Sequence, residues 1–117
     1  MMLAAVDDLL FSSKIRGAAK HAGVEIRFVR TPGAVLGEIQ HHRPSLVILD
    51  LDATRLQPVA VLEALRAVAA GARPRTVGVV SHVHADLVEA ARAAGADRVM
   101  ARSTFVANLP GLLAGTE

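Results

Sequence analysis

The sequence predicts an α/β fold in which a parallel β-sheet is covered by helices on both faces. Five short apolar runs alternate along the chain with five segments in which apolar residues recur at helical spacing. The connections between them are short, and tight β/α alternation places successive strands parallel with a helix as each crossover. Nothing divides the chain, so we expect one domain over residues 1–117.

The apolar runs place the five strands at residues 2–6, 24–29, 46–51, 76–80 and 98–101. The third run, LVILDL, is almost wholly apolar, as expected for a central strand buried on both faces. Helices are expected over residues 12–22, from Pro32, from Pro58, over 85–94, and after a cap at Ser103 or Thr104. Gly23 and Gly95 are placed to end the helices before them, and Thr31 is placed as an N-cap.

The last helical segment contains Pro110 followed by Gly111. Proline has no backbone N–H to donate, and in a helix interior its ring clashes with the preceding turn. We therefore expect the last helix to end near Leu109. Leu109, Leu112 and Leu113 would then be partly exposed or covered by a partner.

Composition excludes several classes of protein. The chain has no cysteine, which excludes disulfides and thiolate metal sites and suits a reducing compartment. No basic leader and no apolar run long enough to cross a membrane are visible, so we expect a cytoplasmic protein with no membrane contact. The net charge is +2 and the only aromatic residues are three phenylalanines, so a nucleic-acid partner is not expected.

A motif at the end of the third strand suggests a first chemistry. Residues 50–54, DLDAT, resemble the D-x-D-x-T nucleophile motif of haloacid-dehalogenase phosphatases. That family has a lysine and an acidic pair downstream of the motif. Here both lysines, Lys14 and Lys20, and the acidic pair Asp7 and Asp8 lie upstream, and the chain after Asp50 is short. The phosphatase interpretation is therefore disfavoured.

The same region resembles the receiver domains of response regulators of the CheY-like type, and this resemblance extends from the first strand through Phe105. The resemblance rests on five features of the sequence: VDD at 6–8, Asp50 at the end of the third strand, Ser81 at the end of the fourth, AGAD at 94–97, and Arg102 where the family has lysine. The resemblance implies a flavodoxin-like (CheY-like) sheet of five parallel strands in the order 2-1-3-4-5, with helices on both faces.

The resemblance also implies a site at the carboxyl ends of the strands. Asp50 would be the phospho-acceptor, with Ser81 and Arg102 on the phosphoryl oxygens. Crowded carboxylates repel one another, and Mg²⁺ relieves that repulsion through oxygen ligands. The implied ligands are the carboxylates of Asp7, Asp8 and Asp50 and the backbone carbonyl of Asp52.

By the same resemblance, the chain would be no enzyme but a stand-alone signalling module of two-component (phosphorelay) type. Its partner would be a sensor kinase or a downstream effector, reached through the side formed by helix four, strand five and helix five. We also expect a homodimer contact on the side of strand five and the last helix.

Departures from the family pattern leave a second function open. Arg102 and Ser103 replace a Lys-Pro pair, and His82 replaces a small residue. These changes favour a pseudo-receiver, a protein-interaction module that works without phosphorylation. Arg102 would either bind phosphate, pair permanently with Asp50, or be an exposed side chain.

The histidines give weaker evidence about function than the aspartates do. His82 either overhangs the acidic crevice or is an ordinary loop histidine. The HVHAD segment at 82–86 resembles part of a zinc motif, but Leu87 replaces its final histidine.

Overall fold

The computed structural model of the chain describes residues 1–68, 73–81 and 84–114. It contains a five-stranded parallel sheet in the order β2-β1-β3-β4-β5, which confirms the predicted fold. The strands are β1 (Met2–Ala5), β2 (Ile26–Val29), β3 (Leu46–Asp50), β4 (Arg75–Val80) and β5 (Arg98–Ala101). The helices are α1 (Leu9–Ala22), α2 (Pro32–His42), α3 (Pro58–Leu65), α4 (Ala85–Ala93) and α5 (Arg102–Ala114), with a 3₁₀ turn at Thr54–Leu56. In this part of the chain, no helix has the length and apolar character needed to cross a membrane.

Two apolar layers enclose the sheet, because alternate residues of its strands point to opposite faces. Leu46 and Ile48 of β3 pack on the side covered by α1 and α5. Val47 and Leu49 of the same strand pack on the side covered by α2, α3 and α4. The central strand is therefore buried along its whole length, as its apolar sequence predicts.

The helix caps largely follow the sequence signals. The Thr31 side chain accepts a hydrogen bond from the Ala34 N–H at 3.1 Å, and Gly23 ends α1 with a φ of 70°. Helix α1 begins three residues earlier than predicted, because the Asp8 carboxylate accepts from the N–H groups of Leu10 and Phe11 and so nucleates an extra turn.

The AGAD segment at 94–97 connects α4 to β5, and its hydrogen bonds hold the start of β5 against β4. Gly95 turns the chain with a φ of 107°, a conformation that glycine adopts without strain. The Asp97 carboxylate then accepts from the Thr76 N–H and hydroxyl at 2.8 and 3.2 Å, and the Asp97 N–H donates back to the Thr76 hydroxyl at 3.0 Å. Because Thr76 is buried in β4, these bonds fix where β5 begins.

The prediction for the last helix was wrong. Helix α5 starts at Arg102, directly after β5, and so begins before the predicted caps Ser103 and Thr104. It continues through Pro110 to Ala114. Leu109, Leu112 and Leu113 are buried rather than exposed. Burying a leucine stabilises by about 1.5–3 kcal/mol, so three of them outweigh the roughly 3 kcal/mol that a helical proline costs. The expected homodimer contact therefore cannot use these leucines.

Replacing Pro110 by alanine should raise the free energy of unfolding by about 1–2 kcal/mol. Alanine returns a backbone donor to an exposed position of α5, and the lost stiffening of the unfolded chain offsets only part of the gain. Urea unfolding followed by circular dichroism measures the change. Leu112→Ala, in the same helix, should instead lower stability by about 2–5 kcal/mol. A loss of stability in Pro110→Ala would mean that the proline is itself part of the packing.

Candidate functional site

The acidic residues of the sequence motifs meet at the carboxyl ends of the parallel strands. They line an open cleft of about 480 Å³, and its walls comprise Asp7, Asp8, Leu9, Leu10, Asp50, Asp52, Ala53 and Arg102. Ser81 is not among these residues. Its side chain is exposed, and its N–H donates to Asp52 Oδ2 at 2.5 Å, which ties the end of β4 to the loop after β3. His82 lies outside the described residues.

Arg102 bridges two of the carboxylates. Its Nη1 donates to Asp8 Oδ2 at 2.9 Å and its Nη2 donates to Asp50 Oδ2 at 3.0 Å. The guanidinium carbon lies 4.6 Å from the centre of the Phe11 ring, a cation–π contact. One Arg102 side chain therefore holds the start of α1, the end of β3 and the start of α5 together.

The Asp50 side chain is almost completely enclosed, with 2% of its surface exposed. Its Oδ1 accepts from the Asp52 N–H at 3.1 Å, and its Oδ2 accepts from Arg102. Burial raises the pKa of Asp50, and the Arg102 charge and the Asp52 N–H lower it without cancelling that effect. Both oxygens of the predicted acceptor are thus engaged inside the protein.

The other charged groups of the cleft are also paired. The pKa of Asp8 is held below its usual value, first by the hydrogen bond from the Phe11 N–H and then by Arg102. Burial alone would lower the pKa of Arg102, but the hydrogen bond to Asp8 and the charges of Asp50, Asp8 and Asp52 raise it overall. Asp7 Oδ1 lies 2.8 Å from an Nη of the exposed Arg55.

This arrangement does not fit a divalent metal ion. Asp8 uses Oδ1 to cap α1 and Oδ2 to bind Arg102, while Asp50 is bound by Arg102 and by the Asp52 N–H. The Asp52 carbonyl accepts from the Thr54 N–H at 3.1 Å. Within residues 1–68, 73–81 and 84–114, no three acidic or histidine side chains are placed to hold a metal. A positive guanidinium lies between the two best candidate ligands.

Two residues that contact the charged groups of the cleft were missed by the sequence analysis. Phe11 supports the Arg102 guanidinium, and Arg55 neutralises Asp7. The position of Phe11 three residues after the helix cap is an available signal, because it places the ring on the first turn of α1. The contact between Arg55 and Asp7 has no signal in the sequence, since these residues are far apart along the chain.

Comparison with known proteins identifies the fold. No family model and no curated protein sequence matches the chain, but 159 chains of solved structures do. A response regulator from Hahella chejuensis superposes with a TM-score of 0.84 at 22% identity, covering 97% of this chain and 91% of that one. A CheY-like receiver domain from Methanospirillum hungatei superposes with a TM-score of 0.78 at 17% identity, covering 98% and 94%. The chain has the receiver fold.

A third similar structure bears on metal binding. The Mn²⁺-bound form of the response regulator Rcp1 superposes with a TM-score of 0.79 at 18% identity, covering 95% of this chain and 89% of that one. The receiver fold therefore admits a divalent ion in at least one protein, whereas the cleft of this chain contains a guanidinium between Asp8 and Asp50.

The raised pKa of Asp50 predicts how its contribution to stability varies with pH. A carboxyl whose folded pKa lies above its unfolded value of 3.8 stabilises the fold fully below pH 3.8 and loses that contribution as the pH rises through the folded pKa. Above pH 3.8 the melting temperature of the wild type should therefore fall relative to that of Asp50→Asn. Calorimetry of both proteins across the acidic range measures the difference.

Asp86→Asn makes the same chemical change at an exposed position of α4 and is the matched control. It should leave the pH dependence of the melting temperature as it is in the wild type. A wild type that instead gains stability over Asp50→Asn as the pH rises would show that the attraction of Arg102 outweighs the burial of Asp50.

Proposed function

We propose that this chain is a receiver-like signalling module that binds a protein partner without phosphorylation of Asp50. The observation that supports this most strongly is the bridge from Arg102 to Asp8 and Asp50. A nucleophile needs an oxygen that a phosphodonor can approach in line. Here the acceptor carboxylate is enclosed, one oxygen is bound by a fixed cation and the other by a backbone N–H.

The proposed setting is two-component signalling in the cytoplasm, with a sensor kinase or a downstream effector as the partner. The receiver fold supports this setting, since similar structures include response regulators from several organisms. No chemistry on a substrate is proposed, because Asp7, Asp8 and Asp50 are paired with arginines and Asp52 accepts from the Ser81 N–H. The module would act through its surface.

The exposed apolar side chains support an interaction role, and they support a partner contact at one end of the molecule. Leu9 and Leu10 stand side by side at the start of α1 with 69% and 82% of their surface exposed. A groove of about 590 Å³ beside them is lined by Leu10, Phe11, Val106 of α5 and others. Among the described residues, α4 and β5 by contrast have no exposed large apolar side chain. We place the partner contact at the start of α1.

Phosphorylation of Asp50 is the second candidate function, and one observation favours it. Asp50 ends β3 and shares an open cleft with Asp7, Asp8 and Asp52, as the predicted acceptor site requires. In this alternative Arg102 must leave Asp50 before a phosphoryl group can enter, and Mg²⁺ must then compete with Arg102 for the carboxylates. Arg102 would afterwards bind the phosphoryl oxygens.

The test is incubation with Mg²⁺ and acetyl phosphate, followed by intact-mass measurement. The wild type should gain no phosphoryl group, and beryllofluoride should leave its amide chemical shifts unchanged. In Arg102→Lys the shorter, more mobile cation should release Asp50 and permit some phosphorylation. The double variant Asp50→Asn/Arg102→Lys is the control and should gain nothing. A labile phosphoryl group on the wild type, absent from Asp50→Asn, would establish the second candidate instead.

A further inference from the structure

We infer that the Arg102 guanidinium is the resident cation of the cleft, so that the folded chain binds no divalent metal ion there until Arg102 is removed. The inference shares with the proposed function the contact between Arg102 and Asp50, but it concerns metal binding rather than phosphoryl transfer. It assigns to a side chain of this protein the positive charge that a metal ion would otherwise bring to Asp8 and Asp50.

The charge pattern of the cleft requires a cation. Asp8 and Asp50 both direct Oδ2 at the Arg102 guanidinium, at 2.9 and 3.0 Å, so the two carboxylates are close neighbours. Without a positive charge between them they would repel each other. Arg102 supplies that charge, and Arg55 does the same for Asp7. Arg102 and Arg55, two side chains of the chain itself, therefore place positive charge beside three of the aspartates.

The guanidinium is held in place from several sides, so a metal ion cannot displace it easily. It forms two charge-assisted hydrogen bonds and lies against the Phe11 ring. Asp8 cannot follow a metal ion away from Arg102 without giving up the cap of α1, because its Oδ1 accepts from two N–H groups of that helix. Displacing Arg102 would break all of these contacts together.

A divalent ion placed beside Arg102 would also be repelled by it. Repulsion between charges grows with their product, so a divalent ion next to a guanidinium is opposed twice as strongly as a monovalent one. Removing the guanidinium does two things at once. It frees Oδ2 of both Asp8 and Asp50, and it increases the excess of negative charge in the cleft, which suits Mg²⁺ or Mn²⁺ with oxygen ligands.

The experiment is a titration with Mn²⁺, whose unpaired electrons broaden the signals of nearby amides in ¹⁵N-resolved spectra. The wild-type chain should show no broadening confined to residues 8–11 and 50–53. Arg102→Met keeps an unbranched apolar side chain next to Phe11 and removes the charge. It should show local broadening there and an apparent affinity for Mn²⁺ that is tighter by at least about tenfold.

The matched control is Arg16→Met. Arg16 lies over the Phe28 ring at 4.5 Å, so this variant removes the same atoms from a similar cation–π contact away from the cleft. It should behave as the wild type does. Arg102→Gln, which keeps a hydrogen-bond donor without the charge, repeats the test if the methionine variant does not fold. Arg102→Gln should gain Mn²⁺ binding in the same place.

Either of two results would overturn the inference. One is local broadening in the wild type at the Mn²⁺ concentrations that suffice for the Arg102 variants. The other is a folded Arg102 variant with no gain in affinity. A wild type that binds Mn²⁺ yet gains no phosphoryl group would refute this inference alone. A wild type that is phosphorylated yet shows no Mn²⁺ binding at the cleft when unphosphorylated would refute the proposed function alone.

Discussion

The Arg102 guanidinium between Asp8 and Asp50 is the contact on which the acidic end of the sheet depends. It joins three elements that are distant in sequence: the first turn of α1, the last residue of β3 and the first residue of α5. Each element brings a group that is unfavourable alone. Asp50 is buried, Asp8 adds a second carboxylate, and Arg102 is a partly buried cation. The single positive charge of Arg102 stabilises both carboxylates, which reduces the cost of burying them.

The parallel sheet makes this contact possible and also limits what the cleft can do. Because all five strands end at the same edge, the side chains that follow β1, β3 and β5 meet there whatever their chemistry. An arginine in this geometry reaches across the cleft and binds both carboxylates, which a compact ammonium group does less readily. The chain has the receiver fold, and in its cleft Arg102 donates a hydrogen bond to one oxygen of Asp50.

The sequence predicted the strands and most helix starts, since alternation, caps and buried runs are local signals. The strand order came from the resemblance to receiver domains and is confirmed by the structure. It failed at Pro110, where a local rule about helices was outweighed by the burial of Leu109, Leu112 and Leu113. For the site, the sequence identified the acidic residues and Arg102 but left three roles open for the arginine. Which of these roles Arg102 takes depends on the distances between α1, β3 and α5. The contact of Phe11 with Arg102 and the pairing of Arg55 with Asp7 also depend on distances between elements. Such distances are set by packing and carry no local sequence signal.

A double-mutant cycle between Arg102 and Asp50 tests the central claim most directly. The free energy of unfolding would be measured for the wild type, Arg102→Met, Asp50→Asn and the double variant, by urea unfolding at neutral pH. Circular dichroism is the suitable signal, because the chain contains neither Trp nor Tyr. If Arg102 binds Asp50 as described, the two substitutions should be non-additive, with a coupling of about 1–3 kcal/mol in favour of the pair. Additive effects would mean that the guanidinium does not bind Asp50 in solution, and the account of a cleft closed by its own cation would fail.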